Sequence, residues 1–420
     1  MSEEKKKTPK ISVIIPVYNV EKYLEECLQS VVMQTMRDIE ILCVEGGSKD
    51  SSMKILEQFA ESDDRIHIMH QKGKGLSGAR NEAIAVARGE YLFFLDSDDK
   101  LADENCFLFM AEHMDKDALD VLYFDGKSFY ENERLREQFA PYYEAAYKRS
   151  KDYGCFEKGQ LLFFELVMKK EYYVTVWLQC YRTSFIKKIN LLFAEEMLNE
   201  DVLYTFISML SAGRVAHYNR LTVLRRIRED SLIQSKRDFR YFYSLFYGYK
   251  EMLLFWQTHD LEEGVQPAIE RELIERKNAV VRSYMALKEE QKKKVSQLSG
   301  YEKYLLNILK ASLQTEKNAG FPYYLFQKPD KILLYGAGAN GKKLYAQAKE
   351  DGIVKIAGIL DAKADELSRE ELPVFPISKV KELDYDYILI TVKNQQVVQE
   401  IKKNLLELEV PENIIKWDGK

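Results

Sequence analysis

The stretch EYLFFLDSDD, residues 90–99, places three carboxylates directly after a run of apolar and aromatic residues. Asp96, Asp98 and Asp99 follow that run with only Ser97 between them. Acids this close repel one another unless a cation or hydrogen-bond donors offset the repulsion. Because oxygen ligands suit Mg²⁺ and Mn²⁺, the pattern predicts a divalent cation held by Asp98 with help from Asp96. A solvated acidic turn that caps the next helix is the alternative.

The elements that must position these acids alternate between strands and helices from Ile11 to about Asp125. Short apolar runs predict strands, and the segments between them have helical spacing. The predicted strands are ISVIIPVYN, IEILCVEGGS, RIHIMHQ and YLFFLD, and the predicted helices are KYLEECLQSVVMQ, SSMKILEQFAES and ARNEAIAVARG. Such alternation favours βαβ units and a parallel sheet, whose binding crevice lies at the carboxyl ends of the strands. The acidic cluster lies at such an end.

Length and composition restrict the class of protein. A chain of 420 residues predicts two or three domains, and a net charge of −5 gives no global reason to bind nucleic acid. The five cysteines are scattered and contain no C-x-x-C pair, which favours free thiols in a reducing cytosol. No signal-peptide layout and no membrane-spanning stretch is recognisable. We therefore expect a cytoplasmic protein, with peripheral contact at the inner face of the membrane if its acceptor is lipid-linked.

Changes of pattern along the chain predict three regions. An α/β domain is expected at 1–230, a helical region at 231–324 and a small α/β domain at 325–420. The aromatic stretch FRYFYSLFYGYKEMLLFW is interpreted as core packing between helices, with a membrane-surface or partner-docking face as the alternative.

Five motifs in order resemble those of the family 2 glycosyltransferases of the inverting GT-A type. They are ISVIIPVYNVEKYLEECLQSV, VEGGSKDSS, GLSGARNEAI, GEYLFFLDSDD and NEDVLYTF, and the resemblance runs from about Ile11 to Ile233. It implies a nucleotide-binding GT-A sheet that transfers a hexose or related sugar from a nucleotide-diphosphate sugar to a hydroxyl. The implied cofactor is Mn²⁺ or Mg²⁺, and the implied acceptor is a growing bacterial surface glycan, such as capsule, lipopolysaccharide or a wall polymer, in free or lipid-linked form.

The resemblance also implies donor-binding residues. The backbone of Pro16 and the ring of Tyr18 are expected against the base, Glu45 at the base or ribose, Arg80 at the diphosphate and Asp96 toward the ribose. Many relatives read V-D-D-G-S where this chain reads V-E-G-G-S. Glu45 replaces the first aspartate of that motif and Gly46 replaces the second, so the identity of the donor's base stays open.

A base for the acceptor hydroxyl is implied by NEDVLYTF. By resemblance Asp201 is the catalytic base and Glu200 its neighbour on the acceptor side. An acidic pair that complements a helix dipole is the alternative. Trp177, in VWLQCYRTSFI, is a candidate for stacking on an acceptor sugar or, equally, a core residue.

The segment LRRIREDSLI resembles the part of these enzymes that follows the base. Arg226, Arg228 and Ser231 are candidates for a clamp that closes over the diphosphate. A plain basic turn is the alternative.

The C-terminal motif YGAGANG has the G-x-G-x-x-G spacing of a nucleotide-binding loop. Gly336, Gly338 and Gly341 follow the strand KILLY, and Asp361 ends the next strand at the place of a ribose-binding acid. The motif predicts a Rossmann-like domain. Three roles are considered for it, in this order: a regulatory nucleotide or sugar-nucleotide site, a degenerate domain used for assembly, and a true NAD enzyme. A homo-oligomer is a candidate assembly. The rival functions are an NAD-dependent sugar-nucleotide oxidoreductase or epimerase and a non-catalytic sugar-nucleotide-binding scaffold.

Overall fold

A computed structural model of the protein describes residues 8–229, 238–317, 321–322, 325–326, 331–351, 354–364 and 373–417. The chain forms two compact units, Met1–Leu287 and Lys288–Lys420. Within these described residues no helix is both long and apolar enough to cross a bilayer.

The first unit alternates strands and helices along its amino-terminal half and becomes helical toward its end. Its strands are β1 (Ile11–Val17), β2 (Ile39–Glu45), β3 (Ile66–His70), β4 (Tyr91–Phe94), β5 (Lys100–Leu101), β6 (Val121–Tyr130), β7 (Gly154–Phe156), β8 (Gln179–Arg182) and β9 (Val215–Ile227). Its α-helices are α1 (Leu24–Val32), α2 (Ser52–Ser62), α3 (Gly75–Val86), α4 (Cys106–Lys116), α5 (Glu133–Tyr143), α6 (Gly159–Met168), α7 (Thr183–Lys188), α8 (Glu200–Ser211), α9 (Phe239–Thr258) and α10 (Gln266–Met285). Short 3₁₀ helices occupy Val176–Leu178 and Glu263–Val265.

One mixed sheet organises this unit, in the order β3-β2-β1-β4-β8-β6-β9-β5, with β7 paired to β9. The pairs among β1, β2, β3 and β4 are parallel, whereas β8 runs antiparallel to both β4 and β6. Every residue of β1, β2 and β4 is buried. These strands are buried on both faces, as is usual where helices cover both sides of a parallel sheet. Their carboxyl ends therefore lie side by side at one edge, where β4 leads into the acidic cluster.

The second unit contains its own parallel sheet, in the order β12-β11-β10-β13-β14. Its strands are β10 (Lys331–Tyr335), β11 (Lys355–Leu360), β12 (Val374–Phe375), β13 (Tyr387–Ile390) and β14 (Ile415–Trp417). Its α-helices are α11 (Glu289–Lys292), α12 (Gly300–Lys317), α13 (Ala339–Asp351) and α14 (Gln395–Glu407), and its 3₁₀ helices are Lys293–Gln297, Ile377–Glu382 and Glu412–Ile414. Ile332 and Leu334 join one hydrophobic cluster, whereas Leu333 and Tyr335 join another. Since side chains alternate across a strand, this sheet is covered on both faces.

The predicted fold class, an α/β sheet of the GT-A type followed by a smaller C-terminal α/β sheet, is confirmed. The division at residues 230 and 324 stays a prediction. In the structure, α9 and α10 belong to the first unit, where α9 packs on α8 and α10 packs on α6.

Gly159, the first residue of α6, is closely packed against α8. A Cβ at Gly159 would lie 2.0 Å from the carbonyl oxygen of Met209, whereas a Cβ at Gly248, inside α9, would meet nothing within 4 Å. We expect Gly159→Ala to lower the free energy of unfolding by about 1–3 kcal/mol through overpacking. Gly248→Ala, the matched control, should raise it by about 0.5–1 kcal/mol because alanine favours the helix. Urea unfolding followed by circular dichroism measures both, and equal effects of the same sign would contradict this packing.

Candidate functional site

The acidic cluster forms a tight turn at the end of β4. The N–H of Leu95 still donates to Ile14 O in β1 (3.0 Å), and the N–H of Asp99 then closes the turn on Asp96 O (3.0 Å). The Asp99 carboxylate is buried and accepts the Arg226 N–H (2.7 Å). Burial, followed by the charges of Asp98 and Asp96, raises the pKa of Asp99 well above its usual range. The turn thus holds three carboxylates close together, one of them buried.

A single buried arginine on α3 connects this turn to the acids of α8. The Arg80 side chain is 1% exposed, and its guanidinium donates to Asp96 Oδ1, Glu200 Oε1 and Asp201 Oδ1, each at 2.8 Å. Its charged end also lies 5.0 Å from the ring centroid of Phe193. The structure therefore brings together four of the predicted site residues, and Arg80 contacts carboxylates where a diphosphate was predicted. Its role at the diphosphate stays a prediction.

Asp201 lies in the first turn of α8 and is held from two sides. Besides the Arg80 contact at Oδ1, its Oδ2 accepts the N–H of Val176 (3.4 Å). Burial raises the pKa of Asp201 to about 7; Arg80 opposes this shift, and Glu200 and Asp96 reinforce it. A carboxylate with this pKa can both accept and release a proton near neutral pH, as a general base must.

The two arginines predicted to clamp the diphosphate bind the acidic turn instead in this structure. Arg226 donates from Nε to Asp98 O (3.0 Å), in addition to its backbone contact with Asp99, and its guanidinium pairs with Glu26. Arg228 Nε donates to Asp98 Oδ2 (2.7 Å). Both arginines thereby position the turn, and their action on a donor stays a prediction. Ser231 lies outside the described residues.

The predicted nucleoside site lies where β1 and β2 end together. Pro16 is within β1, and the Tyr18 side chain directly after β1 is 58% exposed, so its ring is available for stacking. Glu45 is buried, and its carboxylate accepts the N–H of Ser48 (2.5 Å) and of Gly47 (3.0 Å). Burial works against ionisation, yet these hydrogen bonds lower the pKa of Glu45. Glu45 therefore holds the turn after β2, and its contact with base or ribose stays a prediction.

Trp177 is 3% exposed and belongs to the hydrophobic core. Its ring packs edge-on against Tyr147, with centroids 4.8 Å apart, and a Cβ at Gly126 would lie 2.8 Å from it. Its indole thus offers little surface to a sugar in this state, and the acceptor role stays a prediction.

The C-terminal glycine loop joins β10 to α13. Gly336 has φ +109°, a Cβ at Gly341 would lie 1.8 Å from Gly336 O, and Gly338 faces open space. Only glycine fits at positions 336 and 341. Asp361 accepts the N–H of Ala337 (2.7 Å) and of Lys363 (2.9 Å), so its carboxylate holds the loop. A nucleotide or NAD site here stays a prediction.

Sequence reasoning missed three residues whose side chains surround Arg226 beside the acidic turn. Glu26 on α1 pairs with Arg226 and Lys100, and the rings of Tyr23 and Phe129 lie 4.9 Å and 4.4 Å from the Arg226 guanidinium. An exposed glutamate on an amphipathic helix carries no signal of this kind. The alternation of side chains along LRRIR, however, does separate Arg226 and Arg228 from Arg225.

These features define the class of protein: an α/β domain of the GT-A type, with acids at the carboxyl end of a central strand. Residues 12–168 match the family model described as Glycosyl transferase family 2, so this part of the chain is similar to that family. Residues 328–416 match the model described as C2185-like, N-terminal.

Known proteins support this assignment. The chain is 34% identical over 228 residues to the uncharacterized glycosyltransferase EpsJ of Bacillus subtilis, covering 54% of this chain and 63% of that protein. It is 33% identical over 226 residues to glycosyltransferase GlyA of Streptococcus pneumoniae, covering 53% of this chain and 31% of that protein. The chain thus spans less than two thirds of the length of these relatives. The crystal structure of S. aureus TarS 1–349 in complex with UDP-GlcNAc shares the fold, with a TM-score of 0.54, 23% identity and coverage of 67% of this chain and 77% of that one.

The Asp201 carboxyl should titrate near pH 7, well above the ordinary aspartate value of about 3.9. Between these values the folded protein holds a proton at Asp201 that the unfolded chain has released. This carboxyl therefore lowers the stability as the pH rises through that window. Carbon-detected NMR of ¹³C-aspartate protein, assigned with Asp201→Asn, measures the midpoint. Glu200→Gln should lower it, because Glu200 raises the pKa of Asp201. A midpoint near 4 in the wild type would contradict the burial of this group.

Proposed function

We propose that the protein is an inverting, metal-dependent glycosyltransferase that moves a hexose or related sugar from a nucleotide-diphosphate sugar to a hydroxyl of a growing bacterial surface glycan. The observation that carries this proposal is the link through Arg80 between the acidic turn after β4 and Asp201, whose pKa of about 7 suits a general base. The similarity of residues 12–168 to family 2 supports it.

The donor is proposed to lie along the edge where β1, β2 and β4 end. The exposed ring of Tyr18 stacks on the base, with the backbone of Pro16 beside it. Asp96 faces the ribose, and its Oδ1 is held in place by Arg80. The turn held by Glu45 shapes the same edge. TarS was crystallised with UDP-GlcNAc, which supports a nucleotide sugar as the class of donor.

The residues of the turn fit a divalent cation. Asp98 Oδ1 and Asp96 Oδ2 bond to no atom of the described residues. Burial raises the pKa of Asp99, and the nearby charges of Asp98 and Asp96 add to this shift. No three His, Cys, Asp or Glu side chains of the described chain form a complete metal site. Mg²⁺ is commonly bound by one or two carboxylates together with substrate phosphates, so two carboxylates suffice. Asp98, with Asp96, would hold the ion, and the ion would stabilise the negative charge of the departing diphosphate.

The transfer step follows from the position of Asp201. The Asp201 carboxylate accepts the proton of the acceptor hydroxyl as the hydroxyl oxygen attacks the anomeric carbon. The bond from that carbon to the diphosphate oxygen breaks, its electron pair leaves with the nucleoside diphosphate, and attack from the opposite face inverts the anomeric configuration. Arg80 orients Asp201 and favours its charged form, while Arg226 and Arg228 are proposed to move from the acidic turn to the diphosphate when donor binds. Glu200 lies beside the base on the acceptor side.

A bacterial surface polysaccharide is the proposed acceptor class. The chain is 44% identical over 99 residues to a poly(ribitol-phosphate) beta-glucosyltransferase of Bacillus spizizenii, covering 23% of this chain and 16% of that protein. Peripheral membrane contact and self-association stay predictions, as does nucleotide binding by the C-terminal unit.

A thermal-shift screen of nucleoside diphosphates, nucleotide sugars and NAD, each with and without Mn²⁺, tests the proposal. We expect one nucleoside diphosphate and its sugar to raise the melting temperature only with Mn²⁺, because a ligand that binds the folded state stabilises it. Stabilisation by NAD with turnover of the reduced cofactor would favour the oxidoreductase. Binding of a nucleotide sugar without hydrolysis or transfer would favour the scaffold.

Replacement of the proposed metal ligand should abolish the metal dependence. We expect Asp98→Ala to weaken Mn²⁺-dependent binding of the selected nucleoside diphosphate at least tenfold, about 1.4 kcal/mol, measured by calorimetry. Asp103→Asn is the matched control, since it removes an acid whose partner, Arg220, lies with it on the surface. Manganese-dependent binding that survives in Asp98→Ala would remove this residue from the metal site.

Replacement of the base should separate binding from chemistry. Asp201→Asn preserves the size of the side chain but cannot accept the proton, so we expect kcat to fall about 10²–10⁴-fold with the donor affinity unchanged. Donor hydrolysis and transfer to an acceptor glycan are measured together with calorimetric binding. Transfer at the wild-type rate would show that another group takes the proton.

A further inference from the structure

Among the arginines around the acidic turn, Arg225 is bound differently from its neighbours. Arg80, Arg226 and Arg228 all contact carboxylates, but no carboxylate of the described residues pairs with Arg225. Its Nη1 donates to the hydroxyl of Tyr147. Because side chains alternate along β9, Arg225 projects from the face opposite Arg226 and Arg228.

Two tyrosines hold the guanidinium in place. Its central carbon lies 5.2 Å from the ring centroid of Tyr143 and 5.4 Å from that of Tyr147, and the two rings are nearly parallel, at 12°. Arginine stacks well on aromatic rings, and such contacts orient the group without neutralising it. Burial lowers the pKa of Arg225, but Tyr147 and Asp99 more than compensate, so the group stays charged.

One edge of this guanidinium is open. Nε and Nη2 of Arg225 bond to no atom of the described residues, and neither is among the buried polar atoms that lack a partner. Both donors therefore reach solvent. Nε and Nη2 form the edge through which an arginine binds a phosphate or carboxylate with two parallel hydrogen bonds.

The residues that hold Arg225 also contact the segment beside the base. Tyr147, which receives the Arg225 hydrogen bond, packs on Trp177 at 4.8 Å, and the adjacent Val176 donates its N–H to Asp201. On its other side, Arg225 precedes Arg226, whose N–H binds Asp99. Arg225 is thus linked to the base through Tyr147 and the segment Val176–Trp177, and to the acidic turn through its chain neighbour Arg226.

We propose that Arg225, oriented by Tyr143 and Tyr147, is an oxyanion subsite that binds a phosphoryl group of a substrate. The inference rests on the proposed function for its place in catalysis, and it names the chemistry that the subsite recognises. The phosphoryl group belongs either to the donor diphosphate or to a phosphate-containing acceptor, and the two sources differ in what they predict for a variant.

Inorganic pyrophosphate and inorganic phosphate, titrated into metal-free protein in EDTA, are the first probes. Calorimetry compares the wild type with Arg225→Gln, Arg225→Lys and Tyr147→Phe, and Arg220→Gln is the matched control because Arg220 is on the same strand but pairs with Asp103 on the surface. We expect Arg225→Gln to bind at least tenfold more weakly, Arg225→Lys to be intermediate because it keeps the charge but loses the planar edge, and Arg220→Gln to equal the wild type. Melting temperatures confirm that each variant is folded, and Arg225→Lys keeps the test valid if Arg225→Gln is unstable.

The source of the phosphoryl group is read from a second titration, with UDP and GDP in the presence of Mn²⁺. A tenfold loss in Arg225→Gln assigns the subsite to the donor. Unchanged nucleotide affinity, together with the loss of phosphate binding, assigns it to the acceptor. Phosphate and pyrophosphate binding that is absent from the wild type, or unchanged in Arg225→Gln, overturns the proposal. If no nucleoside diphosphate of the thermal-shift screen binds although pyrophosphate binding depends on Arg225, the oxyanion subsite stands and the proposed function fails.

Discussion

The site depends on one buried cation that three carboxylates surround. A guanidinium that is 1% exposed would be very unfavourable without partners, and Arg80 finds them in Asp96, Glu200 and Asp201. Because those acids come from a strand end and from a distant helix, the ion pairs align α3, β4 and α8 at one point. Burial raises the pKa of Asp201 to about 7 despite its contact with Arg80, and the negative charges of Glu200 and Asp96 add to this shift.

Alternating charges continue outward from that cluster. The acidic turn at residues 96–99 is bound by Arg226 and Arg228, and Arg226 is in turn bound by Glu26. Under the proposed function, the carboxylates of the turn would hold a divalent cation and the arginines would bind the diphosphate. The existing ion pairs would then be exchanged for new ones. In such a site the carboxylates and arginines are already positioned before the donor binds, and binding of the donor changes the net charge little.

In each of the two units, a carboxylate at the end of a strand accepts backbone N–H groups of a glycine-containing loop. Glu45 ends β2 and accepts the N–H groups of Gly47 and Ser48, and Asp361 follows β11 and accepts those of Ala337 and Lys363. In each case a carboxylate satisfies backbone donors that would otherwise face the edge of the sheet. The acids that sequence reasoning assigned to ribose thus shape loops in this structure. The glutamate side chain at position 45 is long enough to accept the N–H groups of Gly47 and Ser48 in the turn that follows it. This explains how V-E-G-G-S forms its turn with one acid fewer than V-D-D-G-S.

The sequence by itself determined the local elements and where the acids lie along them. Apolar runs, glycine turns and acids at the strand ends predicted an α/β sheet, the turn at residues 96–99 and the acidic pair at the start of α8. These are local patterns, because burial, turn chemistry and helix starts are decided by neighbouring residues. Only the tertiary structure decided which charges meet. That Arg80 binds the acids, that Trp177 is in the core and that Arg225 keeps an open edge all depend on contacts between residues far apart in sequence. Burial and electrostatic pairing act through space, and no spacing along the chain specifies them.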